Sequence, residues 1–150
     1  MSVFRLLQSR VGEKLGVHSP SPFGRWLDGT LTHIEEGTIT VNFHVRPEMC
    51  NPAGVLHGGV AAAMMDEVMG MTVFSLDLDH FYMSVNLNVD YLFGARSGEH
   101  VNVRSEVIRK GKKVVHTECR IYDAAGRLLT KATSNLIATS MPAGNTNGQA

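Results

Sequence analysis

Cysteine is scarce in this chain of 150 residues, where only Cys50 and Cys119 occur. Two cysteines so far apart make neither a disulfide framework nor a Cys-x-x-Cys pair. Their scarcity excludes a small disulfide-stapled scaffold, a dithiol redox centre and a cysteine-rich zinc site. A reducing, cytoplasmic compartment fits this composition best.

The chain also lacks an excess of charge of either sign, since 14 basic residues balance 14 acidic ones. A net charge of zero excludes strong bulk attraction to polyanions, so we predict no nucleic-acid partner and no membrane partner. The longest apolar run, Val55 to Leu76, is interrupted by His57, Asp66 and Glu67, which argues against a membrane span. The N-terminus lacks the residue order of a signal peptide.

Metal-ligand spacing is missing as well. The seven histidines include no His-x-x-x-His pair. We therefore predict no catalytic metal and no cofactor.

The length and the 43% hydrophobic content predict one globular domain with a real core. Helical apolar spacing predicts a short helix over Val3–Leu15, and Ser19–Pro22 predicts an extended turn after it. We divide the chain into an N-terminal helix and extended lead-in (residues 1–24), a main domain (25–140) and a flexible tail (141–150).

Most of the main domain is predicted to form strands joined by short connections. Short connections favour antiparallel pairing. One long helix, apolar on nearly every side, begins at Gly58–Gly59 and runs to Leu76; such a helix is normally buried. The predicted class is α+β, with an antiparallel sheet that curls around one central helix. The predicted strands are Trp26–Glu36, Thr38–Arg46, Phe81–Phe93, His100–Arg109, Lys113–Tyr122 and Arg127–Thr139.

The helix start carries the first candidate site. The N–H groups of the first helical turn have no intrahelical partner and lie at the positive end of the helix dipole. Because Gly58 has no side chain, an acyl carbonyl can approach its N–H closely, which predicts an oxyanion site with Gly59 beside the substrate. The alternative is that both glycines only make a tight turn against the sheet.

Asp66 is the candidate base or nucleophile. A carboxylate on an apolar helix is paired, protonated or catalytic. The alternative for Asp66 is a buried carboxylate satisfied by a neighbouring hydroxyl. We interpret Glu67 as the less probable actor, paired with a basic group from the sheet.

The spacing of these two candidates bears on assembly. Gly58 and Asp66 are eight residues apart, which is roughly 12 Å along one helix. Reacting groups must lie within about 3–3.5 Å of the substrate atoms. One helix cannot bring both to one carbonyl, whereas two antiparallel copies across a two-fold axis can. The spacing therefore favours a dimer with two composite sites.

Three further residues are candidates near the site. Asn51 can position water or the thioester, or simply make an Asx-turn before Pro52. His57 can donate a hydrogen bond or orient the loop. Ser84 can hold Asp66 through its hydroxyl, but strand alternation places it on the polar face unless a bulge or a partner subunit intervenes.

Two other groups are candidates for substrate binding. Met65 and Met69 belong to a methionine-rich helix that is mainly core, although methionine also lines adaptable acyl pockets. Four basic residues cluster at one predicted turn, either as a solvated turn or as a grip for the phosphates of a nucleotide-bearing substrate. They are Arg109, Lys110, Lys112 and Lys113.

Three parts of the sequence together resemble a known family: the segment Asn51-Pro-Ala-Gly-Val-Leu-His-Gly-Gly59, Asp66, and the strand Ser84-Val-Asn-Leu-Asn-Val-Asp-Tyr91. The family is the PaaI-like hotdog-fold acyl-CoA thioesterases, within the 4-hydroxybenzoyl-CoA and phenylacetyl-CoA thioesterase superfamily. With the order of elements, the resemblance covers roughly Trp26 to Thr139. It implies a hotdog fold, a homodimer with a continuous sheet, and often a dimer of dimers.

The resemblance also implies roles for individual residues. The Gly58 N–H polarises the thioester carbonyl, and Asp66 of the other subunit acts as nucleophile or general base. Asn51 helps to place the carbonyl or water, Ser84 supports the carboxylate, and the basic turn around Lys112 contacts coenzyme A. The substrate is an acyl-CoA, whose coenzyme A is part of the substrate rather than a cofactor. Its acyl group is an aryl, phenylacetyl or medium-chain group.

Two other functions stay open at this point. One is a non-catalytic acyl-CoA-binding hotdog module that acts as a ligand sensor, for which we expect a partner or a DNA-binding extension that the sequence does not contain. The other is a hotdog dehydratase or hydratase, which uses a histidine paired with a carboxylate in a different motif context; we do not find that motif.

Overall fold

The structure of the protein is a computed structural model that describes residues 1–145. Its helices are α1 (Val3–Gln8), α2 (Pro22–Leu27) and α3 (Gly58–Phe74), and its strands are β1 (Thr30–Glu35), β2 (Thr38–His44), β3 (His80–Tyr91), β4 (His100–Lys110), β5 (Val114–Asp123) and β6 (Leu128–Pro142). Short 3₁₀ turns lie at Leu15–Val17, Pro47–Met49 and Ala143–Asn145. The first residues of the predicted tail thus belong to β6 and to the last of these turns, and the rest of it lies outside the described residues.

The six strands form one antiparallel sheet in the order β1-β2-β4-β5-β6-β3. Helix α3 packs on one face of this sheet, so the predicted α+β class and the single central helix are confirmed. In the part of the chain that the structure describes, no helix is long and apolar enough to cross a membrane.

The core lies between α3 and the inner face of the sheet. The strand β2 contributes Val41 and Phe43, as its alternation predicts, and α3 contributes Met64, Met65 and other fully buried side chains. One flank of α3 stays open, however, and Asp66 is exposed there. The helix is therefore buried along most of its surface but not on the side of Asp66.

The N-terminal segment differs from the prediction in two places. Helix α1 ends at Gln8 rather than at Leu15. Trp26, predicted to start a strand, lies in α2, because Ser21 accepts a hydrogen bond from the Gly24 N–H and Pro22 occupies the first turn. A serine cap followed by proline is a helix start, which is why this pair does not simply break the chain.

The strand β3 contains a β-bulge in its N-terminal half. Ser84 pairs with Leu136, but Asn86 pairs with the adjacent Asn135, so Val85 is an extra residue. A bulge reverses the alternation of side chains on either side of it. Strict alternation along β3 would place Val85 on the same face as Leu87 and Val89, but the bulge turns it outwards and it is 62% exposed.

Candidate active site

The first turn of α3 holds an unused hydrogen-bond donor. His57 caps the helix, because its Nδ1 accepts the Gly59 N–H at 2.9 Å. The His57 carbonyl accepts the Val60 and Ala61 N–H groups, both at 3.0 Å. Within residues 1–145 the Gly58 N–H has no acceptor. A free N–H at the positive end of a helix is a ready site for a developing oxyanion.

Tyr91 packs directly on Gly58. Its hydroxyl donates to the Gly58 carbonyl at 2.7 Å. A Cβ at position 58 would come within 3.1 Å of the Tyr91 ring. The φ angle of Gly58 is not positive, so the close approach of this ring, rather than a left-handed backbone, is what favours glycine there. Sequence reasoning missed Tyr91, because its alternation marked it only as an apolar position of a strand.

An apolar hollow opens beside Gly58. Its volume is about 320 Å³. Aromatic and aliphatic side chains form most of its lining, which suits the apolar part of a small ligand. The lining residues are Val55, Leu56, Gly58, Ala61, Tyr91, Leu92, Phe93, Gly94, Ala95, Ile121, Leu129 and Thr130.

A second, more open groove contains Asp66. Its volume is about 480 Å³, and α3 and β3 form its two walls. The Ser84 hydroxyl donates to Asp66 Oδ1 at 2.7 Å. The bulge at Val85, one of the two exceptions considered for Ser84, places it on the helix-facing side instead of the polar face that strict alternation gives, so the predicted contact of Ser84 with Asp66 is present. The groove is lined by Gly59, Ala62, Ala63, Asp66, Ser84, Val85, Asn86 and Leu87.

Gly58 and Asp66 do not meet in one protomer. They line different hollows. Eight residues of the unbroken helix α3 separate them, which is roughly 12 Å. A single protomer therefore holds the free N–H and the carboxylate apart, in two separate hollows.

Asn51 forms an Asx-turn in the loop before α3. Its side-chain oxygen accepts the Ala53 N–H at 3.0 Å and the Val55 N–H at 3.2 Å. This is the second of the two interpretations offered for Asn51. Its side-chain amide nitrogen has no acceptor among residues 1–145, so it remains available as a donor.

Met65 and Met69 lie in the core rather than at either hollow. Both are fully buried, and Met69 Sδ accepts a hydrogen bond from the Thr117 hydroxyl at 3.1 Å. In the protomer these methionines support α3 and line neither of the two hollows.

The four basic residues flank or form the turn between β4 and β5. Across the sheet, Lys110 is in line with Val115, Leu136 and then Ser84. The basic turn thus lies at the Asp66 end of the sheet rather than at the Gly58 end. None of the four is ion-paired within the described residues, which leaves their charge free for an anion.

Glu67 is the more buried of the two helix carboxylates. Its Oε2 accepts a hydrogen bond from the Ser21 hydroxyl at 3.2 Å. Burial raises the pKa of Glu67, against the opposing effect of that hydrogen bond. The predicted basic partner from the sheet is wrong, since the partner is a serine of the N-terminal segment. In the described part of the chain, no three His, Cys, Asp or Glu side chains cluster as metal ligands would.

Comparison with known proteins gives consistent matches. A family model described as "Thioesterase superfamily" matches residues 53–130. Human acyl-coenzyme A thioesterase 13 is 29% identical over 109 residues, which cover 73% of this chain and 73% of that protein.

Solved structures share the fold. Zebra fish thioesterase superfamily member 2 superposes with a TM-score of 0.78 at 20% identity, over 93% of this chain and 99% of that one. The E. coli PaaI protein from the phenylacetic acid degradation operon gives a TM-score of 0.76 at 16% identity, over 81% of this chain and 87% of that one. These likenesses confirm the predicted hotdog fold.

Proposed function

The chain belongs to the thioesterase superfamily, and from this membership we propose that it hydrolyses acyl-CoA thioesters to a free acid and coenzyme A. The name of the human relative supports an acyl-CoA as the substrate. The reaction needs no cofactor, because coenzyme A arrives as part of the substrate. The two unpaired cysteines agree with a reducing, cytoplasmic location.

The observation that carries this proposal is the unused Gly58 N–H beside an apolar hollow. The thioester oxygen accepts a hydrogen bond from that N–H, and the acyl group enters the hollow. Attack at the carbonyl carbon moves negative charge onto the oxygen, which the N–H and the helix dipole stabilise. The carbon–sulfur bond then breaks, and the sulfur leaves as the thiolate of coenzyme A.

Asp66 supplies the base or the nucleophile. As a base, it takes a proton from the attacking water and returns a proton to the leaving thiolate. As a nucleophile, it forms an acyl anhydride that water then hydrolyses. Either route consumes one water and releases one acid and one thiol. Ser84 orients the carboxylate, and the free amide of Asn51 helps to place the carbonyl or the water, while His57 holds the first turn of α3.

A second copy of the chain completes each site. Because Gly58 and Asp66 lie roughly 12 Å apart on one helix, we propose that Asp66 of the partner faces Gly58. The edge strand β3 supports this arrangement, since in residues 1–145 it pairs with β6 alone and leaves its other edge open. Its exposed apolar side chains include Met83 and Val85. A second β3 would cover that edge, which would otherwise invite uncontrolled pairing. The same strand pairing yields the homodimer, and two such dimers form the tetramer that the resemblance implies.

The basic turn has a role in the same arrangement. The basic turn lies at the Asp66 end of its own sheet. In each composite site, the basic turn near the substrate therefore comes from the same subunit as Asp66. We propose that Arg109, Lys110, Lys112 and Lys113 of that subunit contact the phosphates of coenzyme A. Gly59 then borders the reacting carbonyl.

The lining of the hollow supports the proposed classes of acyl group. Apolar and aromatic residues such as Tyr91, Phe93 and Leu129 surround a volume of about 320 Å³. That space suits an aryl, a phenylacetyl or a medium-chain acyl group.

A thiol-release assay over a panel of acyl-CoAs tests the proposal. The wild type is expected to release thiol from at least one aryl-, phenylacetyl- or medium-chain acyl-CoA, and Asp66→Asn to lose most turnover while it folds and dimerises. Glu67→Gln is the matched control, since it removes the neighbouring carboxylate outside the groove and is expected to keep its turnover. Binding of several acyl-CoAs without release of thiol from any of them would contradict hydrolysis and favour a ligand sensor.

A further inference from the structure

We propose that Tyr91 is a positioning residue, whose hydroxyl sets the direction of the Gly58 N–H for catalysis. This inference rests on the function proposed above. The inference goes beyond that function by assigning part of the oxyanion geometry to a residue at the C-terminal end of the edge strand β3. This residue acts on the reaction through Gly58.

The peptide bond between Gly58 and Gly59 is held at both of its polar atoms. Its carbonyl accepts the Tyr91 hydroxyl at 2.7 Å, and its N–H donates to His57 Nδ1 at 2.9 Å. The carbonyl also has the regular helical partner four residues on, the Ala62 N–H. Helix formation needs only one donor to this carbonyl, and Tyr91 adds a second.

The neighbouring peptide, between His57 and Gly58, carries the free N–H. Its direction relative to the clamped peptide depends only on the two backbone dihedrals of Gly58. Glycine has the widest range of these dihedrals, and the first turn of a helix is held by few hydrogen bonds. The peptide that carries the N–H is already held through its own carbonyl, which accepts the Val60 and Ala61 N–H groups at 3.0 Å. Fixing the Gly58 carbonyl from outside the helix restrains the other side of the same residue, so the N–H direction is set from both sides of Gly58.

The Tyr91 ring strengthens this restraint. A Cβ at position 58 would come within 3.1 Å of the ring, so ring and backbone are in direct contact. The hydroxyl proton is committed to the Gly58 carbonyl, so it is not offered to a substrate in the hollow that the ring lines. Tyr91 thus acts on the reaction through Gly58 rather than by donating to the substrate.

Tyr91→Phe tests the inference, because it keeps the ring and removes only the hydroxyl. We expect kcat to fall by about tenfold, since small misplacements of a catalytic group cost rate, with KM changed by less than about twofold. Tyr122→Phe is the matched control: it also removes a tyrosine hydroxyl, on β5 and away from both hollows, and is expected to keep the wild-type kcat.

A second measurement needs no substrate. In the amide NMR spectrum, the Gly58 and Gly59 peaks are expected to move in Tyr91→Phe and to stay in place in Tyr122→Phe. A wild-type kcat in Tyr91→Phe, or a raised KM at unchanged kcat, would overturn the inference. If the wild type releases no thiol from any acyl-CoA, the proposed function fails by itself; unmoved Gly58 and Gly59 peaks would then overturn the role of Tyr91 as well.

Discussion

Replacing Gly58 by proline removes the group that matters most for the proposed chemistry, the N–H, and puts the ring Cδ where its hydrogen was. Proline is favoured at the first position of a helix, and it requires an extended residue before it. His57 already has φ −60° and ψ 134°, which meets that requirement. The N–H has no acceptor within residues 1–145, so its loss breaks no hydrogen bond of the described fold.

The size of the effect follows from what else the substitution brings. Proline adds a Cβ, which meets the Tyr91 ring at 3.1 Å and forces it back by a few tenths of an ångström. Gly58→Ala adds the same Cβ and keeps the N–H, so it is the matched control. Loss of one oxyanion donor costs about 10²–10³ in kcat, or roughly 2.7–4 kcal/mol. We expect that difference between the proline and the alanine variant.

Steady-state thiol release by the wild type and both variants gives the three kcat values, and thermal unfolding checks that both variants fold. The alanine variant reports the cost of crowding Tyr91, and the step from alanine to proline reports the cost of losing the N–H together with that of the ring carbon that replaces its hydrogen. Equal kcat values in two folded variants would refute the oxyanion role of Gly58.

Three further predictions concern the residues around the site. Ser84→Ala is expected to lower kcat by about tenfold at unchanged KM, because Asp66 loses its 2.7 Å hydrogen bond; an unchanged kcat would remove Ser84 from the site. Burial raises the pKa of Glu67 in the folded protein. Above the pKa that this carboxyl has in the unfolded chain, its ionisation therefore lowers the free energy of unfolding. Glu67→Gln is expected to unfold at a higher temperature than the wild type at about pH 8, and this difference is expected to shrink towards about pH 4. Thermal scans at both pH values check this, and a difference that grows in acid would contradict it. Met65 is fully buried, so Met65→Ala is expected to lose about 2–5 kcal/mol of unfolding free energy in urea titrations. Met65→Leu is expected to keep both the stability and the KM of the wild type. A raised KM in the leucine variant would mean that Met65 contacts the substrate.

The architecture was predictable from period and spacing. Alternation over Thr38–Arg46 marked the buried face of β2 correctly, and the turns at residues 110–112 and 123–126 predicted the antiparallel order. These features are local, because a side chain two positions along a strand faces the same way.

The errors arose where the answer depends on distant residues. The alternation of β3 fails at Val85, because a bulge is defined by pairing with β6, which the strand's own sequence does not encode. Trp26 was misassigned, because a serine before a proline both breaks the preceding segment and caps α2. Asp66 and Glu67 have the same apolar neighbours in sequence, yet Asp66 is exposed and Glu67 is half-buried. The difference arises because the N-terminal segment covers only the flank of α3 that carries Glu67.

The candidate site shows the same division. The helix start and Asp66 could be identified from glycine and carboxylate chemistry alone, and the distance between Gly58 and Asp66 followed from helix rise. Tyr91 could not, since it comes to Gly58 from 33 residues further along the chain. The preference for glycine at position 58 has a packing cause that only the fold reveals.

Subunit mixing tests the central claim, that each site takes Gly58 from one subunit and Asp66 from the other. Chains with Gly58→Pro and chains with Asp66→Asn are expressed together under different tags, and the mixed dimer is isolated. If the sites are composite, the mixed dimer has one site with both groups intact and one with neither, so thiol release at about half the wild-type rate per dimer is expected. A mixed dimer no more active than its two inactive parents would contradict the account, because each protomer would then carry a complete site of its own.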